Sequence, residues 1–183
     1  LLPTLGSWFQ SLQDRHKQSW AWLNDGRPNT YWMTGFFNPQ GFLTAMKQEV
    51  TRQNKANNWA LDEVVYRSEI TEFREAKDVR GPPSQGVYVN GLFLDGAAWN
   101  ANEQNLIESA PKELFVPIPV LYVTAVSKNL KQGSSDYKIY KCPCYKYPAR
   151  TDRYIIFLVD LITRTKDPSH WVMRGVGLLC SIE

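Results

Sequence analysis

The run from Tyr31 to Phe42 limits the possible folds more than any other part of the chain, because it packs five aromatic side chains around a glycine and an Asn-Pro pair. Large rings bury much apolar area while few torsions are frozen, so the run is typical of a packed corner. Gly35 permits a backbone path that other residues avoid, and Asn38 followed by Pro39 is typical of a helix start. The sequence therefore predicts that this segment joins a strand or turn to a helix.

Apolar residues at three- and four-residue spacing predict two helices in the first part of the chain. A second helix begins at Pro39 and runs to about Asn54. The first helix ends near Gly26. Its apolar stripe, which we take as its buried face, consists of Leu5, Trp8, Phe9, Leu12, His16, Trp20 and Leu23. Trp22 lies off this stripe, and we expect it to flank the buried face and to contact something outside these 183 residues.

The stretch Gly81 to Gly86 breaks regular structure, because its prolines fix φ and its glycines allow unusual turns. We take it as the boundary between a helical part, residues 1–80, and a β part, residues 81–183. Before the boundary, one strand is expected near Val64 to Ser68. Beyond it, the predicted strands are Val87 to Leu94, Leu106 to Glu108, Val120 to Val126, Tyr137 to Cys142, Tyr154 to Ile162 and Trp171 to Ile182.

The predicted fold class is therefore α+β, with N-terminal helices followed by an antiparallel β-barrel of about six strands. A sandwich of the same strands fits this spacing as well. Hairpin loops are expected at Asn129 to Asp136 and at Tyr147 to Arg153, where Gly, Ser, Pro and Asp cluster.

Composition indicates a globular protein with a surplus of rings. Of 183 residues, 43% are hydrophobic and 21% charged, which is ordinary, but 13% are aromatic and seven are Trp. Some of these rings close the core, and the rest favour a surface that docks on something larger. The net charge of +3 is too small to predict binding to nucleic acid or to an anionic membrane.

The sequence shows no targeting or membrane segment. Its first residues lack the pattern of a signal peptide, and no apolar run has the length of a membrane span. It also lacks an initiator Met, so we expect it to be a piece of a longer polypeptide. Three cysteines, an odd number, favour a reducing compartment over a secreted disulfide scaffold.

Motifs for nucleotide or metal chemistry are weak. No Gly-x-x-x-x-Gly-Lys-Ser/Thr loop occurs, and Gly175-x-Gly177 is better interpreted as close backbone packing. Cys142, Cys144 and Cys180 do not have the spacing of a zinc site, and the first two are interpreted as small apolar fillers under one strand face. His16 and His170 adjoin no nucleophile motif, although sequence does not rule out a triad assembled in space.

Two further patterns have alternative interpretations. Asp95 and Asp160 interrupt apolar strands and could form the acid pair of a glycosidase, but Asp95, which precedes Gly96, is better interpreted as a turn residue, and a solvent-facing position accounts for Asp160. Residues 131–166 carry eight Lys or Arg against three Asp, interleaved with tyrosines. Such a pattern can bind single-stranded nucleic acid, although an ordinary two-faced strand is the preferred interpretation.

Three stretches, in this order, resemble the C-terminal region of dynein heavy chains: Tyr31 to Phe42, Gly86 to Trp99, and His170 to Cys180. The resemblance extends from about Trp8 to Glu183. It implies helices that lead into an antiparallel β-barrel, together forming one cap domain that lies against a ring of ATPase modules and is not itself an ATPase. The match to the family's C-terminal motif ends essentially at Glu183, so we expect this to be the natural terminus.

The type of dynein is indicated by Tyr140 to Lys146, which resembles the family's Cys-Pro-x-Tyr-Lys motif, and by Pro148 to Tyr154, which is most similar to axonemal outer-arm chains. Many relatives carry a longer Gly- and Ser/Thr-rich hairpin after that motif. This hairpin is absent here, which favours a ciliary over a cytoplasmic type.

The resemblance implies that the parent protein is a minus-end-directed microtubule motor in the axoneme of a cilium or flagellum. No catalytic residue, metal or cofactor is expected in this domain, whereas ATP and magnesium bind in the ring. The implied partners are the ring of the same heavy chain and, through the parent complex, the microtubule and other dynein chains. The docking candidates are Trp8, Phe9, Trp20 and Trp22. The alternative is an independent β-barrel module that binds carbohydrate or single-stranded nucleic acid through exposed aromatics.

Overall fold

A computed structural model of the protein describes residues 4–130, 137–150 and 154–182. The helices are α1 (Leu5–Asp25), α2 (Pro39–Gln53) and α3 (Pro168–Met173). The strands are β1 (Tyr31–Trp32), β2 (Val64–Ile70), β3 (Val87–Asn90), β4 (Phe93–Asp95), β5 (Ala98–Asn100), β6 (Asn105–Ile107), β7 (Phe115–Pro117), β8 (Leu121–Ser127), β9 (Lys138–Tyr145), β10 (Ile155–Thr163) and β11 (Gly177–Leu179). Most of the predicted loop Asn129 to Asp136, and the end of the predicted loop Tyr147 to Arg153, lie outside the described residues.

The corner predicted from the aromatic run is confirmed. β1 leads through one 3-10 turn into α2, and the Asn38 side chain accepts the Gly41 N–H at 2.9 Å, capping α2 with Pro39 as its first residue. Gly35 is required for space rather than for backbone freedom. A Cβ at this position would lie 2.5 Å from the Gln18 Nε2 atom and 2.8 Å from the Trp32 ring.

The two predicted N-terminal helices and the strand at Val64 are also confirmed. Thr4 caps α1 by accepting the Ser7 N–H at 3.1 Å, and Gly26 ends it with φ of 85°. α2 buries Leu43, Met46 and Val50 on its inner face.

The strands form three sheets within the described residues. The first has the order β1-β3-β8-β2, the second β10-β9-β11-β4-β7, and β5 pairs with β6 alone. Most pairs are antiparallel, but β1–β3 and β11–β9 are parallel, so the two larger sheets are mixed. β1 and β2 lie before residue 81 and pair with strands that lie beyond it. The predicted α+β class is confirmed.

The prediction of a closed antiparallel barrel is wrong, because none of the three sheets closes on itself. The predicted strand Val87 to Leu94 is interrupted at Gly91, whose φ of 78° ends β3, and β4 then joins the other sheet. The edge strands β2 and β10 pack side by side, with the Asp160 N–H donating to the Ser68 Oγ at 2.8 Å. We call this contact the β2–β10 seam. Side-chain contacts hold the two strands together here, whereas in a closed barrel they would share a ladder of backbone hydrogen bonds.

The predicted strand Trp171 to Ile182 is wrong over its first part, which forms α3. Pro168 starts this short helix, and Gly175, with φ of 66°, ends it before β11. The Trp171 indole is fully buried and donates to the Thr163 Oγ1 at 3.0 Å, which fixes the helix against β10.

The core lies where α2 and α3 cover the two larger sheets. Its fully buried members include Met33, Leu43, Leu94, Leu121, Leu161, Trp171 and Leu178. α1 contributes no buried side chain. Among the helices of the described ranges, none is long and apolar enough to cross a membrane.

Candidate docking surface

α1 turns mainly polar side chains toward the rest of the domain, which we call the body, and turns apolar side chains away from it. The partly covered positions along it are Ser7, Ser11, Leu12, Asp14, Arg15 and Gln18. Six of the seven members of the predicted apolar stripe are exposed instead: His16, Leu5 80%, Trp8 52%, Phe9 56%, Trp20 60% and Leu23 83%. The prediction that the stripe is the buried face is therefore wrong for contacts within this domain. Spacing shows which face of a helix is apolar, but not which surface covers it.

Gln18 and Trp22 hold α1 to the body. The Gln18 side chain accepts the Trp32 N–H at 2.7 Å and donates to the Trp32 carbonyl oxygen at 3.2 Å. The Trp22 ring meets the Tyr31 ring edge-on, with centroids 5.0 Å apart, and contacts the rings of Phe36 and Phe42 in the same way. Of the four docking candidates, Trp22 thus packs within the domain with 40% of its surface exposed, whereas Trp8, Phe9 and Trp20 are each more than half exposed.

We expect the substitution Gln18→Ala to loosen α1, because it removes both hydrogen bonds to the Trp32 backbone and leaves the partly buried Trp32 N–H without this acceptor. The expected cost is about 1–2 kcal/mol in the local opening free energy. Amide hydrogen exchange at Trp32 should become roughly tenfold faster. Gln13→Ala, at an exposed position of the same helix, is the matched control. Equal exchange rates in the two variants would contradict this role of Gln18.

A groove of about 800 Å³ separates the N-terminal half of α1 from the body. Trp8, Leu12 and Arg15 line its helix side, and Phe37, Lys146, Tyr147 and Ile182 are among the residues that line the other side. Trp8 belongs both to the groove lining and to the exposed apolar face of α1, and the groove and this face together form the candidate docking surface.

The two candidate acids belong to different ion pairs. The Asp95 Oδ2 lies 2.7 Å from the Arg150 Nη2, and the Asp160 Oδ1 contacts the Lys141 Nζ. Arg150 also donates to the Gly175 carbonyl oxygen at 2.9 Å and covers the Tyr145 ring at 4.8 Å. Asp95 therefore holds Arg150 beside β11. Because Asp95 and Asp160 each pair with a different cation, they do not form an acid pair with each other.

The three cysteines are buried and reduced. The interpretation of Cys142 and Cys144 as fillers under one face of β9 is confirmed, since both are fully buried on the same side. Burial raises the pKa of the Cys142 thiol, and the contact with the Cys180 thiol, 3.9 Å away, together with burial raises the pKa of Cys144. Burial also raises the pKa of Tyr140, whose hydroxyl donates to the Val176 carbonyl oxygen at 2.6 Å.

These raised pKa values predict a loss of stability at alkaline pH. The folded protein retains thiol protons that the unfolded protein releases, so their contribution is complete below the unfolded thiol pKa of about 8.5 and is lost as the pH rises toward the folded pKa values. We expect the free energy of unfolding to fall by roughly 1 kcal/mol per pH unit for each such thiol above about pH 9. Urea titrations at pH 7.5 and 10.5 measure this. Cys142→Ala should show a shallower pH dependence, and an unchanged slope would contradict the assignment.

The remaining sequence candidates have structural roles. His16 stacks on Trp20 with centroids 5.8 Å apart, and the His170 Nε2 lies 3.2 Å from the Glu108 Oε1. β9 is two-faced, with Tyr140 inside and Lys141 outside, so the interpretation of an ordinary strand is confirmed there. Across residues 4–130, 137–150 and 154–182, no cluster of three or more His, Cys, Asp or Glu could hold a metal ion.

The comparison with known families decides the relationship. The family described as the C-terminal domain of the dynein heavy chain matches residues 1–180, nearly the whole sequence. The protein belongs to this family of dynein C-terminal domains. The resemblance predicted from the sequence is thereby confirmed, and by its family this domain is not the ATPase module of a dynein.

Individual relatives of this dynein domain are axonemal. It is 50% identical to dynein axonemal heavy chain 5 of Mus musculus over 180 residues, and 50% identical to dynein axonemal heavy chain 8 of Homo sapiens over 181 residues. It is 47% identical to the dynein gamma chain, flagellar outer arm, of Chlamydomonas reinhardtii over 185 residues. Each alignment covers 98% of this domain and 4% of the relative, so the domain spans a small part of their length. The predicted similarity to axonemal outer-arm chains is confirmed.

Proposed function

We propose that this domain is the noncatalytic cap of an axonemal dynein heavy chain and that it docks on the ATPase ring of the same polypeptide through α1. The outward apolar face of α1 carries this proposal. A helix held to its own body by Gln18 and Trp22 exposes Phe9, Trp20 and Leu23 to water. Burial of one large apolar side chain stabilises a contact by about 1.5–3 kcal/mol, so a neighbouring surface that covers this face is strongly favoured.

The noncatalytic role is supported by chemistry as well as by family. The sequence has no phosphate-binding loop, and the acids singled out in it are engaged with Arg150 and Lys141. ATP and magnesium are therefore assigned to the ring of the parent motor. The domain contributes rigid contact area that stabilises the ring and adjusts how ATP hydrolysis is coupled to movement.

The cellular setting follows from the relatives, which are named as axonemal and flagellar outer-arm chains. We place the parent motor in the axoneme of a cilium or flagellum, where it moves toward the minus end of microtubules together with other dynein chains. Trp8, Phe9 and Trp20 are the proposed docking residues, and Trp22 contributes through its exposed part. The division into a helical part, residues 1–80, and a β part, residues 81–183, stays part of this proposal.

The test uses the full heavy-chain motor. The double substitution Phe9→Asp and Trp20→Asp places two charges on the proposed interface, and we expect it to reproduce the effect of deleting residues 1–183: altered microtubule-stimulated ATPase coupling, force or run length. Ser19→Asp and Ala21→Asp on the same helix are the matched control, because both positions are exposed and belong neither to the apolar stripe nor to the groove lining.

Two outcomes would contradict the proposal. A motor that lacks residues 1–183 and retains normal coupling, force and run length would rule out the regulatory role. Wild-type behaviour of the Phe9 and Trp20 variant, together with an altered deletion motor, would rule out α1 as the docking element.

A further inference from the structure

The groove beside α1 combines apolar walls with exposed cations. Phe37 is 72% exposed, and Trp8, Tyr147 and Ile182 are 52%, 45% and 40% exposed. All four side chains line the same groove of about 800 Å³, a volume within the range of pockets that enclose a ligand. Large apolar side chains gathered in one concave site indicate that the groove is covered in the assembled protein.

Two cations contact Phe37, one at its ring and the other at its carbonyl oxygen. The Arg15 guanidinium lies 5.3 Å from the Phe37 ring centroid and 6.0 Å from that of Trp32. The Lys146 Nζ donates to the Phe37 carbonyl oxygen at 2.9 Å and lies 5.4 Å from the Tyr147 ring. Each cation is thus held over an aromatic ring and directed into the groove.

The balance of charge in the groove is positive. None of the ion pairs in the described ranges gives Arg15 or Lys146 a carboxylate partner, since those pairs involve other cations. The acid in the lining, Asp14, is 3.5 Å from the Lys17 Nζ and also accepts from Gln10. A carboxylate on a partner segment could therefore form ion pairs with Arg15 and Lys146, because neither cation is already in an ion pair within the described residues.

We infer that this groove binds an extended segment of the ATPase ring of the same heavy chain, with an acidic side chain between Arg15 and Lys146 and a neighbouring apolar side chain among Trp8, Phe37 and Tyr147. The inference rests on the proposed function, because it takes the ring as the neighbouring surface. A peptide fits better than a nucleic acid, since two cations between apolar walls do not make the row of phosphate contacts that a nucleic acid strand requires.

The experiment maps the occupant in the full motor. A benzophenone analogue of phenylalanine is incorporated at position 37, which is highly exposed in the groove, and the cross-linked peptide is identified by mass spectrometry after illumination. We expect a peptide from the ring of the same polypeptide that carries Asp or Glu beside an apolar residue. The substitutions Arg15→Gln and Lys146→Gln should together lower the cross-link yield at least about fivefold, because two charge-assisted contacts are lost. Lys55→Gln, which removes an exposed charge outside the groove, should leave the yield unchanged.

Charge rescue provides the second measurement. Replacing the acid of the identified ring peptide by Lys should abolish the cross-link, and combining it with Arg15→Glu and Lys146→Glu should restore it. The inference is overturned by a cross-link to another polypeptide, by no cross-link, by a ring peptide without an acid, or by yields that the Arg15 and Lys146 variants do not change. These failures differ from failure of the proposed function, because altered coupling in the Phe9 and Trp20 variant would then persist and still place α1 on the ring.

Discussion

Replacing Trp171 with alanine is expected to lower the free energy of unfolding by about 3–5 kcal/mol. The Trp171 side chain is fully buried between α3 and the second sheet, and its indole N–H donates to the Thr163 Oγ1 at 3.0 Å. Alanine leaves a cavity the size of the ring, and the Thr163 hydroxyl loses this donor while it still donates to the Lys166 carbonyl oxygen. Urea unfolding of the purified domain, followed by tryptophan fluorescence and far-UV circular dichroism, measures the change.

Met173 provides the control for this prediction, because it lies on the same short helix and is 87% exposed. We expect Met173→Ala to change the unfolding free energy by less than about 0.5 kcal/mol. A loss below about 1 kcal/mol for Trp171→Ala would show that α3 is not part of the cooperative core.

The substitution Gly86→Ala is expected to cost about 3 kcal/mol or more, because two effects add at this position. Gly86 has φ of 76°, which L side chains rarely adopt, and a Cβ there would lie 2.4 Å from the Val123 carbonyl oxygen. That oxygen belongs to β8, the central partner of β2 and β3, so the strand cannot move away cheaply. The midpoint of thermal or urea unfolding measures the loss.

Two other glycines separate the contributions. A Cβ at Gly175 meets nothing within 4 Å, but its φ is 66°, so Gly175→Ala should cost only about 1–2 kcal/mol. At Gly81 there is open space and no positive φ, and Gly81→Ala should be within about 0.5 kcal/mol of neutral. If Gly86→Ala cost no more than Gly175→Ala, the close approach to β8 would not contribute.

Features specified by local sequence could be predicted. The corner after Tyr31, the Asn38 cap of α2 and the limits of α1 follow from capping, spacing and ring size, which act over a few residues. The strands near Val64, Val120 and Tyr154 are also close to their predicted positions, because runs of β-branched and aromatic residues favour strands wherever they pair.

Features that depend on distant contacts could not be predicted. Barrel closure failed at Gly91, since an isolated glycine in a strand pattern does not show that the next residues join another sheet. α3 was missed because Trp171 and Val172 favour a strand locally, whereas the helix is started by Pro168 and held by the buried indole bond to Thr163.

The candidate site was predicted in part. The aromatic surplus predicted a docking surface and named Trp8, Phe9 and Trp20 as candidates, but the spacing placed these rings on the buried face of α1, whereas they are exposed. Their role in docking stays a prediction. The sequence analysis also did not predict that Gln18 and Arg15 face the rest of the domain. The spacing of Arg15, Gln18 and Trp22 is helical, so it offered a signal for the attached face. No sequence signal links Lys146 to Phe37, which are brought together by the fold alone.

The β2–β10 seam has a consequence for how the folded protein fluctuates. Neighbouring strands elsewhere share several backbone bonds, whereas here the Ser68 hydroxyl and the Tyr66–Phe157 ring contact hold the two edges together. Breaking these contacts needs no strand to leave its own sheet. We therefore expect the amides of β2 and β10 that face this junction to exchange with solvent sooner than amides within the backbone ladders of the sheets.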